Sequence, residues 1–216
     1  MSAGDPTVQE VPRQVLYFAD PMCSWCWGFA PVLTAIREVI GDAAGVRLIV
    51  GGLRAGESRP MDARAQATVR HHWEAVEAET GQPFCFSFFD RKDFVYDTEP
   101  ACRAVVAMRC FAPNSALDYF AAVQKAFYAE GRDVTDAGVL AALAEPFGLD
   151  AEGFAILFAA PEIRDATLAD FATAAAAGIS GFPTVVVRHG SRFDLLTAGY
   201  RPFAELEPAL TAWLQS

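Results

Sequence analysis

The chain has 216 residues, of which 53% are hydrophobic, and this suits a globular domain with a substantial insertion. Its 17 basic and 27 acidic residues give a formal net charge of −10 without any Lys/Arg cluster, which argues against nucleic acids and anionic membrane surfaces as partners. No segment reaches the roughly 18 uninterrupted apolar residues of a membrane helix, and no signal peptide is recognisable, so we expect a cytoplasmic protein.

The first part of the chain has the pattern of a β-α-β unit. Residues 1–13 are predicted to be a flexible polar tail, residues 14–19 a buried strand and residues 24–40 a helix, which Pro31 is expected to kink. A second buried strand over residues 46–50 completes the unit, so the two strands are predicted to be parallel.

The middle of the chain is predicted to be helical. Strand-like patterns are nearly absent between residues 59 and 159, where apolar residues recur at helical spacing. The predicted helices cover residues 61–79, 99–111, 115–130 and 136–147.

Strands return near the C-terminus. A helix is predicted from Pro161 to Gly178, with an apolar face made up of Ile163, Leu168, Phe171 and Ala175. A hairpin with strands at 184–187 and 193–197 follows, and a helix over residues 203–214 closes the chain.

Two cysteines lie three positions apart in the stretch DPMCSWCWGF, where the first predicted strand meets the first helix. Residues at this spacing are about 4.5 Å apart along a helix axis, so Cys23 and Cys26 are within reach of a disulfide. Cys23 also lies beside the unpaired N–H groups of the helix start, which lower the pKa of a thiol below its free value of about 8.5. We therefore predict that Cys23 is an exposed nucleophile and that Cys26 is the shielded thiol that resolves the mixed disulfide.

Three neighbouring residues are predicted to influence this pair. Ser24 has a hydroxyl that can donate toward the Cys23 sulfur, and Trp25 offers an apolar face to a substrate. Asp20 is open to two interpretations. It is either a turn-forming residue before Pro21 or a carboxylate that disfavours the thiolate or relays a proton to Cys26.

Two such cysteines could instead be inert packing residues or half of a zinc site. A closed zinc site needs four ligands, and the sequence has neither a second CxxC nor an HxxxH motif. Cys102 and Cys110 would be about 12 Å apart on one helix, and the adjacent His71 and His72 would point about 100° apart. We therefore predict no metal, a groove or helix-packing role for the two histidines, and redox chemistry for the CxxC pair.

A second motif, GISGFPTVVV, places Pro183 at the start of a buried strand, where a proline is tolerated. A β-α-β unit with CxxC, followed later by Gly-Phe-Pro before a strand, resembles the outline of a thioredoxin-like fold. The resemblance implies a cis bond between Phe182 and Pro183, in a loop that faces the cysteines and offers the Phe182 backbone to an extended substrate. An ordinary trans proline is the alternative.

The sequence as a whole resembles the DsbA family of thioredoxin-fold oxidoreductases, and within it the FrnE-like cytoplasmic branch of predicted protein-disulfide isomerases. The resemblance covers residues 14–214 and rests chiefly on DPMCSWCWGF and GFPTVVV, with support from GGLRAG, HHWEAVEAETGQPF and TEPACRAV. It implies an α/β thioredoxin-like fold with a helical domain inserted between the βαβ and ββα halves. The thioredoxin-like domain would comprise residues 14–58 and 160–216, and the inserted domain residues 59–159.

The resemblance also implies the activity of a thiol-disulfide oxidoreductase. The substrate would be a protein or small-molecule disulfide or thiol, with no bound cofactor and with glutathione as an optional co-substrate. DsbA-type oxidases have Pro-His between the cysteines and a signal peptide, whereas this chain has Ser24 and Trp25 and no recognisable signal peptide. We therefore expect a disulfide reductase or isomerase rather than an oxidase.

Two other classes of function stay open at this point. A glutathione-dependent kappa-class transferase or hydroxychromene-carboxylate isomerase shares the fold, but such enzymes use a serine at the position of Cys23. A non-catalytic peptide-binding or chaperone module would use the apolar groove and leave the thiols idle. The oligomeric state is not predicted.

Overall fold

The computed structural model describes residues 13–216, so nearly all of the predicted N-terminal tail lies outside the described residues. Arg13 is the first residue of a strand rather than the last residue of a tail. The strands are β1 (Arg13–Ala19), β2 (Gly45–Val50), β3 (Thr184–His189) and β4 (Arg192–Ala198). The helices are α1 (Ser24–Gly28), α2 (Ala30–Ile40), α3 (Ala63–Thr80), α4 (Glu99–Phe111), α5 (Ala116–Tyr128), α6 (Ala137–Ala144), α7 (Ala151–Ala159), α8 (Pro161–Ala176) and α9 (Phe203–Leu214).

Within this part of the chain the strands form one mixed sheet in the order β2-β1-β3-β4. β1 pairs with β2 in parallel, as the β-α-β pattern predicts, and β3 is antiparallel to both β1 and β4. Helices α3 to α7 follow β2 and precede α8 along the chain. The predicted α/β thioredoxin-like fold with a helical insertion is confirmed.

The predicted helix 24–40 consists of two helices, α1 and α2, which meet at Phe29. Pro31 lies in the first turn of α2 and does not kink a continuous helix. Because proline has no N–H group, it cannot bond to the carbonyl of Trp27. That carbonyl accepts a hydrogen bond from the side chain of Gln82 at 3.0 Å instead.

The predictions in the helical region were incomplete in one place and wrong in another. Helix α7 was not predicted; Asp150 caps it by accepting the N–H of Gly153 at 2.8 Å. The predicted apolar face of α8 was wrong in part: Leu168 is 53% exposed and Ala175 is exposed, whereas Ile163 is buried and Phe171 packs against the core. The buried residues of α8 are Ile163, Thr167, Asp170 and Ala174.

An ion pair explains the buried face of α8. The Asp170 carboxylate accepts hydrogen bonds from the Arg109 guanidinium at 2.7 and 3.1 Å and from the Val50 N–H at 3.0 Å. The contact connects α8 with α4 and with the end of β2. Apolar spacing cannot reveal it, because a buried charge is tolerated only when its partners are present.

The two faces of the sheet are covered to different extents. Val15 and Tyr17 of β1 are fully buried on one face, where the Tyr17 ring lies 5.9 Å from the ring of Phe29 and 6.0 Å from that of Phe120 in α5. Leu16 and Phe18, on the other face, line a groove of about 910 Å³ beside α8. In residues 13–216 no helix is both long and apolar enough to span a membrane.

Candidate active site

The CxxC pair lies at the carboxyl end of β1, where strand turns into helix. A turn forms as the N–H of Cys23 donates to the carbonyl of Asp20 at 3.1 Å. Cys23 is the N-cap residue of α1, and Cys26 lies within that helix. Cys23 thus occupies the predicted position at a helix start.

The predicted exposure of Cys23 was wrong. Cys23 is only 5% exposed and Cys26 is fully buried. The reason is that Phe182 lies over Cys23, although the thiol still borders a cavity of about 390 Å³. Both cysteines are free thiols in this structure, and a substrate would reach Cys23 through the cavity.

The Gly-Phe-Pro motif lies beside the CxxC pair, although Phe182 and Cys23 are 159 residues apart in sequence. The Phe182–Pro183 peptide bond is cis, as the resemblance implies. The Cys23 thiol donates a hydrogen bond to the Phe182 carbonyl, with 3.4 Å between sulfur and oxygen. The backbone beside the proline is therefore within reach of any sulfur bound to Cys23.

Gly51 makes this arrangement possible, and the sequence interpretation missed it. A Cβ atom on Gly51 would lie 1.9 Å from Cζ of Phe182, so only glycine leaves room for the ring. The next residue, Gly52, has a φ of +63°, which favours glycine as well. The signal in the sequence was the glycine pair in GGLRAG, which follows a predicted strand.

Cys26 is surrounded by groups that disfavour its thiolate. Burial raises the pKa of Cys26 well above that of a free thiol, and the hydrogen bond to Cys23 and the charge of Cys23 raise it further. The backbone N–H of Asp20 opposes this increase, and the Asp20 carboxylate adds to it. The Cys26 thiol therefore keeps its proton at neutral pH.

Tyr17 is a second residue that the sequence interpretation missed. Its side chain is fully buried, and its hydroxyl has no oxygen or nitrogen partner within residues 13–216. Burial raises its pKa, and the charges of Cys26 and Cys23 raise it further. The sequence carried no signal for this, because the continuous apolar run VLYFA does not show which face of β1 is covered.

Asp20 is a turn-forming residue, as one of the two interpretations from the sequence predicts. One carboxylate oxygen accepts the Met22 N–H at 2.8 Å, which makes Asp20 a turn-forming residue. The other oxygen accepts the Leu53 N–H at 2.7 Å and the Cys102 thiol at 3.4 Å. Burial raises the pKa of Asp20 above its ordinary value of 3.8, and the N–H groups of Met22 and Leu53 partly oppose this. A proton relay from Asp20 to Cys26 stays a prediction.

The two residues between the cysteines border the cavity. Trp25 is half-buried, and its ring centroid lies 5.8 Å from that of Tyr200. Ser24 also lines the cavity, but no hydrogen bond joins its hydroxyl to another described residue. Their predicted roles in substrate binding and in tuning the thiol stay predictions.

The cavity beside Cys23 has a mixed lining. Most of its walls are apolar or aromatic, and the basic side chains of Arg54 and His72 complete it. His72 thus lies in a groove, as predicted for the histidine pair. The larger groove on the open face of the sheet contains no cysteine, so the thiol chemistry belongs to the smaller cavity. Among residues 13–216, no group of three or more His, Cys, Asp or Glu residues could hold a metal.

Comparison with known proteins gives consistent matches. The model of the DSBA-like thioredoxin domain matches residues 14–210. A candidate protein disulfide isomerase from Nitrosomonas europaea is 41% identical, with a TM-score of 0.87 over 94% of this chain and 98% of that one. The cytosolic disulfide reductase DsbM from Pseudomonas aeruginosa is 30% identical, with a TM-score of 0.77 over the same shares. DsbM has also been solved with glutathione.

More distant relatives add less. The ClpXP adapter protein SpxH of Halalkalibacterium halodurans is 24% identical over 66% of this chain and 48% of its own length. The chain thus spans about half the length of the curated relatives that it matches. A hydroxychromene-carboxylate isomerase is 15% identical with a TM-score of 0.67 over 94% of this chain and 96% of that one, a likeness of fold alone.

Proposed function

Because the chain belongs to the family of DSBA-like thioredoxin domains, which are thiol–disulfide oxidoreductases, we propose that it reduces or isomerises disulfides with Cys23 and Cys26. One observation supports this most directly. The Cys23 sulfur borders the substrate-sized cavity and lies 3.4 Å from the carbonyl that precedes the cis-proline, while Cys26 is buried in the same helix.

The reaction follows from this arrangement. The Cys23 thiolate attacks a substrate disulfide, forms a mixed disulfide and releases one substrate thiolate, which takes up a proton. Cys26 then loses its proton and attacks the Cys23 sulfur, so that the second substrate thiol leaves and the Cys23–Cys26 disulfide forms. The substrate gains two electrons and two protons, which the two protein thiols lose. Isomerisation needs only the first step, followed by attack of another substrate thiol on the mixed disulfide.

A reducing compartment and glutathione complete the proposal. DsbM, which is 30% identical, is named a cytosolic disulfide reductase and has been solved with glutathione. We infer a cytoplasmic location for this chain and glutathione as the thiol that returns the oxidised pair to the dithiol form. No bound cofactor is required by this cycle.

The two alternative functions have weaker support. A kappa-type transferase or isomerase would use a serine where this chain has Cys23, and the cysteine pair is intact. A non-catalytic binding module is consistent with the adapter name of the distant SpxH relatives, but such a module does not need a thiol directed at a cavity.

Trapping of the mixed disulfide tests the proposal. In a Cys26→Ser variant Cys23 can attack but the intermediate cannot resolve, so a covalent adduct should accumulate with glutathione disulfide in vitro and with protein substrates in cells. The measurement is intact-protein mass spectrometry after acid quenching, with and without reductant.

Matched variants make the result decisive. Cys110→Ser changes an exposed cysteine outside the pair, so in the Cys26→Ser background it should leave trapping unchanged. Cys23→Ser should abolish trapping. Equal adduct levels in Cys26→Ser and Cys23→Ser would contradict the redox function, and full cellular activity of Cys23→Ser would favour the binding module.

A further inference from the structure

The cavity beside Cys23 is basic although the chain is acidic. The formal net charge is −10, yet no Asp or Glu of the described residues lines this cavity. Its charged or titratable side chains other than Cys23 and Tyr96 are Arg54 and His72. The local charge therefore favours an anionic ligand, in contrast to the charge of the molecule as a whole.

The Arg54 side chain lies against the Tyr96 ring and forms no ion pair with the described residues. The backbone N–H of Arg54 donates to the Thr98 hydroxyl at 3.1 Å, and the guanidinium carbon lies 5.1 Å from the centroid of the Tyr96 ring. The Tyr96 hydroxyl in turn donates to the Met22 carbonyl at 2.7 Å, one residue before Cys23. Across residues 13–216, no carboxylate lies within 4.0 Å of the Arg54 guanidinium.

A neighbouring cavity indicates where a carboxylate cannot bind. Trp25 and Phe182 line both the Cys23 cavity and a second cavity of about 380 Å³, which contains Glu79. The Glu79 carboxylate would repel a substrate carboxylate and could accept an ammonium group. A zwitterionic ligand on Cys23 would therefore direct a carboxylate toward Arg54.

We propose that Arg54, assisted by His72, forms a carboxylate subsite that makes small anionic disulfides of the glutathione type better substrates than neutral ones. A guanidinium binds a carboxylate with two parallel hydrogen bonds, which a stacked and partly buried Arg54 can supply at little entropic cost. The cavity volume of about 390 Å³ falls in the range of small-molecule sites, about 300–1,000 Å³.

The proposal rests on the disulfide exchange proposed above and adds the identity of its preferred substrate. One half of the anionic disulfide becomes covalently attached to Cys23 through its sulfur, and the other half leaves as a thiolate that takes up a proton. The carboxylate of the attached half binds Arg54, so the contact accelerates attack on anionic substrates alone.

Rapid oxidation of the reduced protein by two disulfides tests this subsite. The probes are glutathione disulfide, which is anionic, and bis(2-hydroxyethyl) disulfide, which is neutral. Tryptophan fluorescence follows both reactions in the wild type and in Arg54→Gln. The readout is the second-order rate constant for glutathione disulfide divided by that for bis(2-hydroxyethyl) disulfide. Arg59→Gln is the matched control, because Arg59 is an exposed arginine that does not line the cavity.

We expect Arg54→Gln to lower this ratio about tenfold, within the range for one charge-assisted hydrogen bond. The ratio should also fall with added salt in the wild type and respond less in the variant, because salt screens the attraction. Arg59→Gln should retain the wild-type ratio. An unchanged ratio in Arg54→Gln, including the case in which both rates fall equally, would overturn the subsite. Failure of the wild type to react with either disulfide would instead refute the proposed function.

Discussion

At the scale of single residues, the chemistry of the site depends on how each thiol is buried. The spacing in DPMCSWCWGF indicated a helix N-terminus, and Cys23 is indeed the N-cap of α1. Its low exposure could not be predicted, because it depends on Phe182, which is 159 residues away in sequence. Local spacing predicts local geometry, whereas burial follows from contacts between distant segments.

Asp20 leads to a prediction for the pH dependence of stability. Its pKa is raised in the folded protein by burial. At pH values above the ordinary pKa of Asp20, the unfolded chain has lost the carboxyl proton while the folded protein still holds it. Because the folded state then binds more protons, the free energy of unfolding falls as pH rises from the ordinary pKa to the raised one. The slope from one such group is at most about 1.4 kcal/mol per pH unit.

Asp20→Asn removes this dependence. We expect the wild type to lose stability relative to Asp20→Asn from pH 4 upward. The difference between their free energies of unfolding should grow until Asp20 is ionised in the folded wild type. Urea unfolding of both reduced proteins across this range measures the difference. Parallel curves for the two proteins would show that Asp20 keeps an ordinary pKa when folded.

At the scale of structural elements, the end of β2 supports the cis-proline loop that precedes β3. Gly51 follows directly after β2, and its N–H donates to the Ala19 carbonyl at 2.8 Å, which extends the pairing of β1 and β2. The Phe182 ring occupies the space that a Gly51 side chain would fill. The sheet thus determines the position of the carbonyl that contacts Cys23.

Gly51→Ala tests this support. The added methyl group must displace the Phe182 ring, so we expect a loss of about 1–3 kcal/mol in the free energy of unfolding. We also expect slower reaction of Cys23 with a neutral disulfide. Gly45→Ala, at the start of the same strand, is the matched control because its added Cβ has no neighbour within 4 Å. Equal behaviour of the two variants would mean that the ring position does not matter to the site.

Helices show where sequence periodicity is informative and where it fails. The final helix matches its predicted bounds, since its apolar residues follow regular spacing up to the chain end. Pro31 was misjudged because α1 ends at Gly28 and a new helix begins at Ala30, so the proline lies in a first turn, where its missing N–H breaks no helical hydrogen bond. The face of α8 was misjudged because Asp170 is buried with Arg109 as its partner. Periodicity thus predicts apolar packing but not polar pairing.

At the scale of the whole molecule, the thioredoxin-like fold and the meeting of its two motifs were predictable from the sequence. Each motif carries its own backbone geometry, and the order of strands brings them to the same edge of the sheet. The basic cavity was not predictable, because Arg54 and His72 come from different segments. The division into a thioredoxin-like domain and an inserted helical domain stays a prediction, and a continuous cluster of buried side chains joins the two parts.

The central claim is that Cys23 and Cys26 form one redox pair. The most direct measurement equilibrates the purified protein with mixtures of reduced and oxidised glutathione, quenches with acid, alkylates the remaining thiols in the unfolded protein and locates them by peptide mass spectrometry. We predict that Cys23 and Cys26 lose their thiols together in a single two-electron transition, while Cys85, Cys102 and Cys110 stay alkylatable. Oxidation at any other pair, or a Cys23–Cys26 pair that stays reduced in the most oxidising mixture, would contradict the claim.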